Sequence, residues 1–336
     1  MSEHILTATV PAHCARQRVD AVLAELFPDY SRSRLQSWIK SGKVRLDGAV
    51  PRAKDKVVGD ELIEVHVEAE SLDEGCRPQA IELDLVYQDE DLIVINKPAG
   101  LVVHPAAGHA DGTLQNALLH LDAHLAEVPR AGIVHRLDKD TSGLLVVARN
   151  LKAHKSLVEQ LQARTVHREY EAIVCGVMTA GGTVDQPIGR HARDRKRMAV
   201  KIEGKPAISH YRVIERFRGH SHIRVNLETG RTHQIRVHMA HINYPLVGDP
   251  VYGGRLKLPR GAGDELKAAL RAFPRQALHA RKLGLIHPSS GREMSWKSEL
   301  PDDIQQLLAL LREDAGDMEA EFENDDFDWD WYDDVE

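Results

Sequence analysis

Residues 131–150 read AGIVHRLDKDTSGLLVVARN, and the class of fold turns on this stretch. Apolar Ile133 and Val134 lead in and the apolar run 144–147 leads out, so the sequence predicts a charged cluster, His135 to Asp140, at the joint between two buried strands. Further strand candidates lie on both sides. LDLVY and LIVIN flank residues 88–91 as a hairpin, and LLVVA, EYEAIVCGV, AISHYRV, HIRVNLE, ALHARKLGLIH and EMSWK follow. Helical spacing appears at 113–125, at about 152–162 and in a short element at 235–241. Strands outnumber helices and do not alternate strictly with them, which predicts an α+β fold with a mixed, mainly antiparallel sheet.

The first 60 or so residues have a different character. Val19, Val22, Leu23, Leu26 and Phe27 form one helical stripe, and SRSRLQSWIKSG (31–42) offers a second helix with Ser31 or Ser33 as its cap and Gly42 as its stop. Asp47-Gly48 after an alternating run marks a small hairpin. Eight Lys and Arg lie between Arg32 and Lys56 against Asp47 and Asp55. Arg32 and Arg34 oppose the dipole of their own helix, so they and Lys40 are candidates for gripping an external phosphate. Residues 1–67 are expected to form one module, 68–80 an acidic linker, 81–312 the main domain and 313–336 a tail.

The net charge of −7 over 336 residues is misleading as a whole. Thirteen carboxylates and no Lys or Arg lie in 313–336, which leaves the preceding 312 residues at +6. A polyanionic partner suits that body, and a disordered extension suits the tail. Cys14, Cys76 and Cys175 are odd in number and widely separated, so neither a disulfide framework nor a cysteine zinc site is expected. No signal peptide or spanning helix is predicted, and the protein is read as cytoplasmic, with no membrane association.

The phosphate loop GxxxxGK[ST], a GxGxxG after a strand and HExxH are all absent. His233, His238 and His241 are spaced loosely like metal ligands, but without a nearby Cys or well-placed carboxylate no metal site is predicted. In the opening stretch a carboxylate is either structural or a nucleophile on a rigid scaffold: Asp140 suits a turn, and Asp138 is open on residue type alone. LETGRTHQIRVHMAH (227–241) sets Arg231, His233 and Arg236 beside apolar Ile235, Val237 and Met239. A buried Arg236 and a buried Asp138 would satisfy each other. GRHARDRKRMAVKIEGK (189–205), with seven Lys and Arg, is read as a long loop that grips a phosphate backbone through Arg190, Arg193 and Arg197.

HRLDKDTSGLL, NKPAGLVVHP (96–105), REYEAIV (168–174) and LETGRTHQIRVHMAHINYPLVGDPVYGG (227–254), in that family's pattern, resemble the ribosomal large-subunit-type pseudouridine synthases. The N-terminal module resembles the αL RNA-binding domain shared with ribosomal protein S-four. The resemblance covers about residues 10–312 and implies a sheet with a central catalytic cleft, no metal and no organic cofactor. It implies Asp138 as the catalytic aspartate, Arg236 as its salt-bridge partner, Tyr170 stacking on the target uracil and Arg136 entering the RNA where the flipped nucleotide left. Arg231 joins the RNA-binding set.

The activity so implied is isomerisation of uridine to pseudouridine in 23S ribosomal RNA, free or in a large-subunit precursor particle, by a monomer. The chemistry agrees: the step has no net redox change, and a carboxylate is ionised at neutral pH from an ordinary pKa of about 3.9. A glycosidic bond inside a stacked duplex is out of reach, so the target nucleotide must be unpaired or flipped. The alternative is a non-catalytic ribosome assembly factor on the same fold.

Overall fold

Two central strands that are buried on both faces decide how the main domain is layered. The computed structural model describes residues 4–27, 30, 32–67, 76–105, 109–194 and 197–315. In chain order the elements are β1 (His4–Thr9), α1 (Val19–Leu26), α2 (Arg32–Lys40), β2 (Val44–Leu46), β3 (Leu62–Val67), β4 (Leu85–Gln88), β5 (Leu92–Lys97), α3 (Leu114–Leu121), β6 (Ser142–Ala148) and α4 (Leu151–Ala163). There follow β7 (His167–Cys175), β8 (Gly182–Asp185), β9 (Ile188–Arg190), β10 (Met198–Val200), β11 (Ile208–Arg216), β12 (His220–Leu227), α5 (Gln234–His241), α6 (Asp264–Ala272), β13 (Leu278–Ile286), β14 (Glu293–Lys297) and α7 (Asp302–Ala315).

Nine strands form one mixed, mainly antiparallel sheet in the order β4-β5-β6-β13-β7-β12-β11-β8, with β14 on β13. Side chains alternate faces along a strand. Ile93 and Ile95 of β5 and Leu145 and Val147 of β6 therefore join Leu114 and Leu118 of α3 on one face. Their neighbours Leu92, Val94, Leu144 and Val146 meet Ala153 and Leu157 of α4 on the other. Farther along, Ile173 packs with Leu266 and Leu270 of α6 and with Ile304, Leu307, Leu308 and Leu311 of α7. Local chemistry sets the helix starts. Thr113 and Asn116 form a reciprocal capping box on α3, and Asn150 caps α4 by accepting from the Ala153 amide at 2.8 Å.

The only parallel pairing in this sheet, β6 with β13, is two residues long: Ser142 opposite His279 and Gly143 opposite Ala280. Gly143 has φ +110, and a Cβ there would come within 2.3 Å of the Ala280 carbonyl oxygen, so glycine is what lets the two strands meet.

Several sequence expectations need correction. The stretch before His135 is not a strand but a 3-10 turn, Pro129–Gly132, after which Ile133 makes a single bridge to Val147. Arg130, Ala131 and Gly132 all have positive φ (53°, 51° and 80°), which no strand accommodates. The basic segment 189–205 is not an open loop, because β9 and β10 pair within it. In the N-terminal module Asp47-Gly48 does form a tight turn, with Leu46 and Ala49 exchanging backbone hydrogen bonds across it at 2.8 and 3.0 Å, and β2 pairs antiparallel with β3, Val44 opposite Val65, in a sheet of order β1-β3-β2. Around that sheet Val19, Val22, Leu23, Leu35, Trp38 and Ile39 make a separate core.

Residues 313–315, expected to belong to a tail, are part of a helix. α7 runs to Ala315, and Asp314 accepts from Arg218 Nε at 3.1 Å and from the Gly263 amide at 2.7 Å. Residues 316–336 and most of the linker, 68–75, lie outside the described residues. No helix among the described residues is long and apolar enough to cross a membrane.

Candidate active site

A cleft of about 630 Å³ opens beside the β6–β13 junction, and its lining includes Asp138, Tyr170, Arg136, Arg231 and His233. Asp138 sits in the turn leading into β6, where its carbonyl accepts from the Thr141 amide at 3.1 Å. Tyr170 projects from β7, and residues 231–235 come from the turn that starts α5. Three separate chain segments thus converge on one cavity.

Behind Asp138 stands Arg236, whose Nη1 donates to Asp138 Oδ2 at 3.0 Å. The expected pair is present, but it is not the arginine's main anchor. Nε and Nη2 of Arg236 donate to the two oxygens of Asp249 at 2.7 and 3.0 Å, a bidentate contact with a carboxylate that is itself fully buried. Burial pulls the Arg236 guanidinium down, but Asp249 and Asp138 together raise it above its ordinary value. Burial likewise pushes Asp249 up, and is outweighed by Arg236 and by the amides of Tyr252 and Val251, so Asp249 lies below the usual carboxylate range.

This arrangement leaves Asp138 Oδ1 without a hydrogen bond among the described residues. His233 Nε2 lies 3.9 Å from it, beyond hydrogen-bond range. Burial lowers the His233 pKa despite the opposing field of Asp138, so the ring is neutral at pH 7. Its Nδ1 is 2.8 Å from the Tyr252 hydroxyl, and its backbone is left-handed at φ 57, ψ 24. A carboxylate with one oxygen tethered and the other open is suited to act as nucleophile or base. Tyr170 is 7% exposed, with burial raising its phenol pKa; what it offers the cleft is an aromatic face.

A buried lysine supports the turn from below. Lys97 Nζ donates to the carbonyls of Pro98, Leu101 and Lys139 at 2.7, 2.9 and 3.0 Å. Burial lowers its pKa to about 7 against the opposing pull of Asp140 and Asp138. Three carbonyl acceptors call for three N–H groups, so the geometry fits the ammonium form. The Asp140 carbonyl accepts from Arg275 Nη1 at 3.1 Å, in keeping with the structural role read for that turn.

The expected RNA-contacting residues divide into groups. Arg136 is exposed at the cleft and Arg231, half-buried, donates to the Pro206 carbonyl at 2.9 Å. Arg190 and Arg193 are exposed outside the cleft lining. Arg197 lies over the Tyr252 ring at 5.5 Å, with Arg236 over the same ring at 5.1 Å, so the basic hairpin touches the site through an aromatic residue that sequence reading passed over. Lys40 is exposed at the end of α2, and the side chains of Arg32 and Arg34 fall outside what the structure describes. His238 is tied to Ser209 and to the Gln186 carbonyl, apart from His233.

Comparison with known proteins agrees with this geometry. Residues 91–241 match the RNA pseudouridylate synthase family, and residues 17–63 match the S4 domain. The chain belongs to the RNA pseudouridylate synthase family and is an RNA pseudouridine synthase. It is similar to the ribosomal large subunit pseudouridine synthase D of Pseudomonas aeruginosa, with 61% identity over 91% of this chain and 96% of the relative. It is also similar to the protein of the same name in Escherichia coli strain K12, with 55% identity over 96% of this chain and 98% of the relative. Among solved structures, human RNA pseudouridylate synthase domain containing 4 superposes with a TM-score of 0.55 at 28% identity, over 68% of this chain and 93% of that one.

Proposed function

We propose that this enzyme isomerises uridine to pseudouridine in 23S ribosomal RNA, with Asp138 as the catalytic carboxylate. The observation that carries the proposal is the polarised Asp138–Arg236 pair, one carboxylate oxygen tied and the other open, in a cleft that also holds Tyr170. The large-subunit substrate follows from the similarity to the two relatives of that name. An S4-type module and a +6 body supply the positive surface for a ribosomal RNA or precursor particle.

The reaction breaks the bond between uracil N1 and ribose C1′ and forms one between C5 and C1′; N1 gains a proton and C5 loses one. A carboxylate begins this by adding to uracil C6, by attacking C1′, or by removing the 2′ proton, and each route starts from ionised Asp138. The Arg236 guanidinium, 3.0 Å from Oδ2, is the cation that a negative charge on Asp138 faces. In this reading Tyr170 gives the flipped base a stacking face while it turns, and Arg136, exposed at the cleft, fills the stack that the base vacates.

Unmodified ribosomal RNA tritiated at uracil C5 tests this. Wild-type protein is expected to release tritium and Asp138→Asn to release none. Release by both, or by neither, defeats the proposal.

A further inference from the structure

Four arginine side chains of the described residues are buried, and three of them hold a carboxylate. Arg236 holds Asp249 and Asp138, Arg275 holds Asp303 at 2.6 Å, and Arg281 holds Glu171 at 3.3 Å and Glu299 at 3.2 Å. Arg168, 8% exposed, holds none. Its one hydrogen bond runs from Nη2 to the Glu228 carbonyl at 3.2 Å, and its Nε is buried without a partner. The nearby acids are turned elsewhere: Glu228 pairs with Arg164 and His210, each at 2.8 Å, and Glu169 with Arg224 at 3.5 Å. Burial, with Arg231 adding to it, lowers the Arg168 pKa, in contrast to the raised value of acid-paired Arg236.

A guanidinium stays charged at any physiological pH, and burying it without an anion is unfavourable. The position explains why the fold tolerates the cost. Arg168 lies two residues before Tyr170 on β7, on the same face of the strand, and it lines the cleft that holds Asp138. Gly230 leaves the guanidinium its room, since a Cβ there would come within 2.6 Å of Nη1. Residues two apart on a strand are separated by roughly 7 Å, which suits the base of a nucleotide and its own phosphate. A planar fork of N–H donors matches the oxygens of a phosphodiester.

We propose that Arg168 is the receptor for a phosphate flanking the target uridine, so that the flipped nucleotide is held by charge at its phosphate and by stacking at its base. This rests on the proposed function, and the RNA supplies the anion that the fold withholds. Arg168 is then a binding residue of the cleft, distinct from the exposed arginines around it because its counter-ion arrives only with substrate.

The test uses stem-loop RNAs containing the uridine that the wild-type enzyme modifies, with either a normal or a neutral methylphosphonate linkage 5′ or 3′ to it. Affinity, its salt dependence and single-turnover rate are measured for wild type, Arg168→Met, Arg168→Lys and Gly230→Ala. Arg168→Met is expected to lose about tenfold or more in affinity for normal RNA and about one unit of the salt slope. One methylphosphonate should impose the same loss on wild type and almost none on Arg168→Met. Arg168→Lys should recover part of the loss, and Gly230→Ala, which displaces the guanidinium without removing it, should share it. The thermal midpoint of Arg168→Met should equal or exceed that of wild type, because an unpaired buried charge has been removed. Equal losses on normal and methylphosphonate RNA, an unchanged salt slope, or a lowered midpoint overturns the proposal in favour of a base contact or a structural role. If wild type binds but releases no tritium, the catalytic reading fails while affinity and salt slope still report on Arg168.

Discussion

At the scale of single residues, the acid that matters most to Arg236 is one with no place in the chemistry. Asp249 occupies two donors of the guanidinium and leaves Nη1 to Asp138. Asp249→Asn turns a charge-assisted bidentate contact into a poorer one beside a buried cation. It should lower stability by about 3 kcal/mol or more and single-turnover rate by roughly tenfold or more, with RNA affinity kept within about twofold. Thermal unfolding and single-turnover assays check this, and an unchanged rate would show that Asp138 alone orients Arg236. The Asp138–Arg236 pairing was legible because buried opposite charges need each other. Asp249 was not, although it stands in the quoted stretch 227–254, because one guanidinium has five N–H donors and a sequence does not say how they are shared. Lys97 was hidden similarly: its partners are backbone carbonyls, which every residue has.

Among the elements, the turn Pro129–Gly132 holds the segment that carries Asp138 in place. Gly132 has φ +80, and a Cβ there would lie 1.8 Å from the Ala148 carbonyl oxygen, at the end of β6. Gly132→Ala should therefore cost about 3 kcal/mol or more, read as a lower urea midpoint, and should disturb Asp138 from outside the cleft; a wild-type midpoint would mean the turn can relax. The long strands and α3 to α5 were legible from their periodicity, since each buries enough apolar residues to leave a pattern. β9 and β10, three residues each, are too short to leave one. α7 does have a clear stripe, Ile304, Leu307, Leu308 and Leu311, but its last turn shares the acidic composition of the tail, which blurred where order ends. Strand order, with β13 between β6 and β7, was beyond reach because pairing partners so far apart in sequence leave no local signal.

Taken whole, the molecule carries buried histidines that make it sensitive to acid. His220 and His279 are each 1% exposed, and burial lowers each pKa to about 4 from 6.5. Between pH 6.5 and 4 the unfolded chain binds protons that the folded chain refuses, so stability is lost as pH falls. At about 1.4 kcal/mol per pKa unit, each accounts for about 2 kcal/mol by pH 5. The urea midpoint should drop between pH 7 and pH 5, and drop less when both are replaced by Gln; a constant midpoint would contradict this. The two-residue junction of β6 and β13 has another consequence at this scale. Asp138 belongs to the bank that ends in β6, and Arg236 to the bank that contains β12 and α5, so their ion pair fastens the sheet where its own hydrogen bonding is thinnest. The two banks cannot part without separating the two charges. On the proposed role of Asp138, a copy with this junction sprung has no polarised aspartate and is silent, so competence for the reaction would double as proof that the sheet is closed.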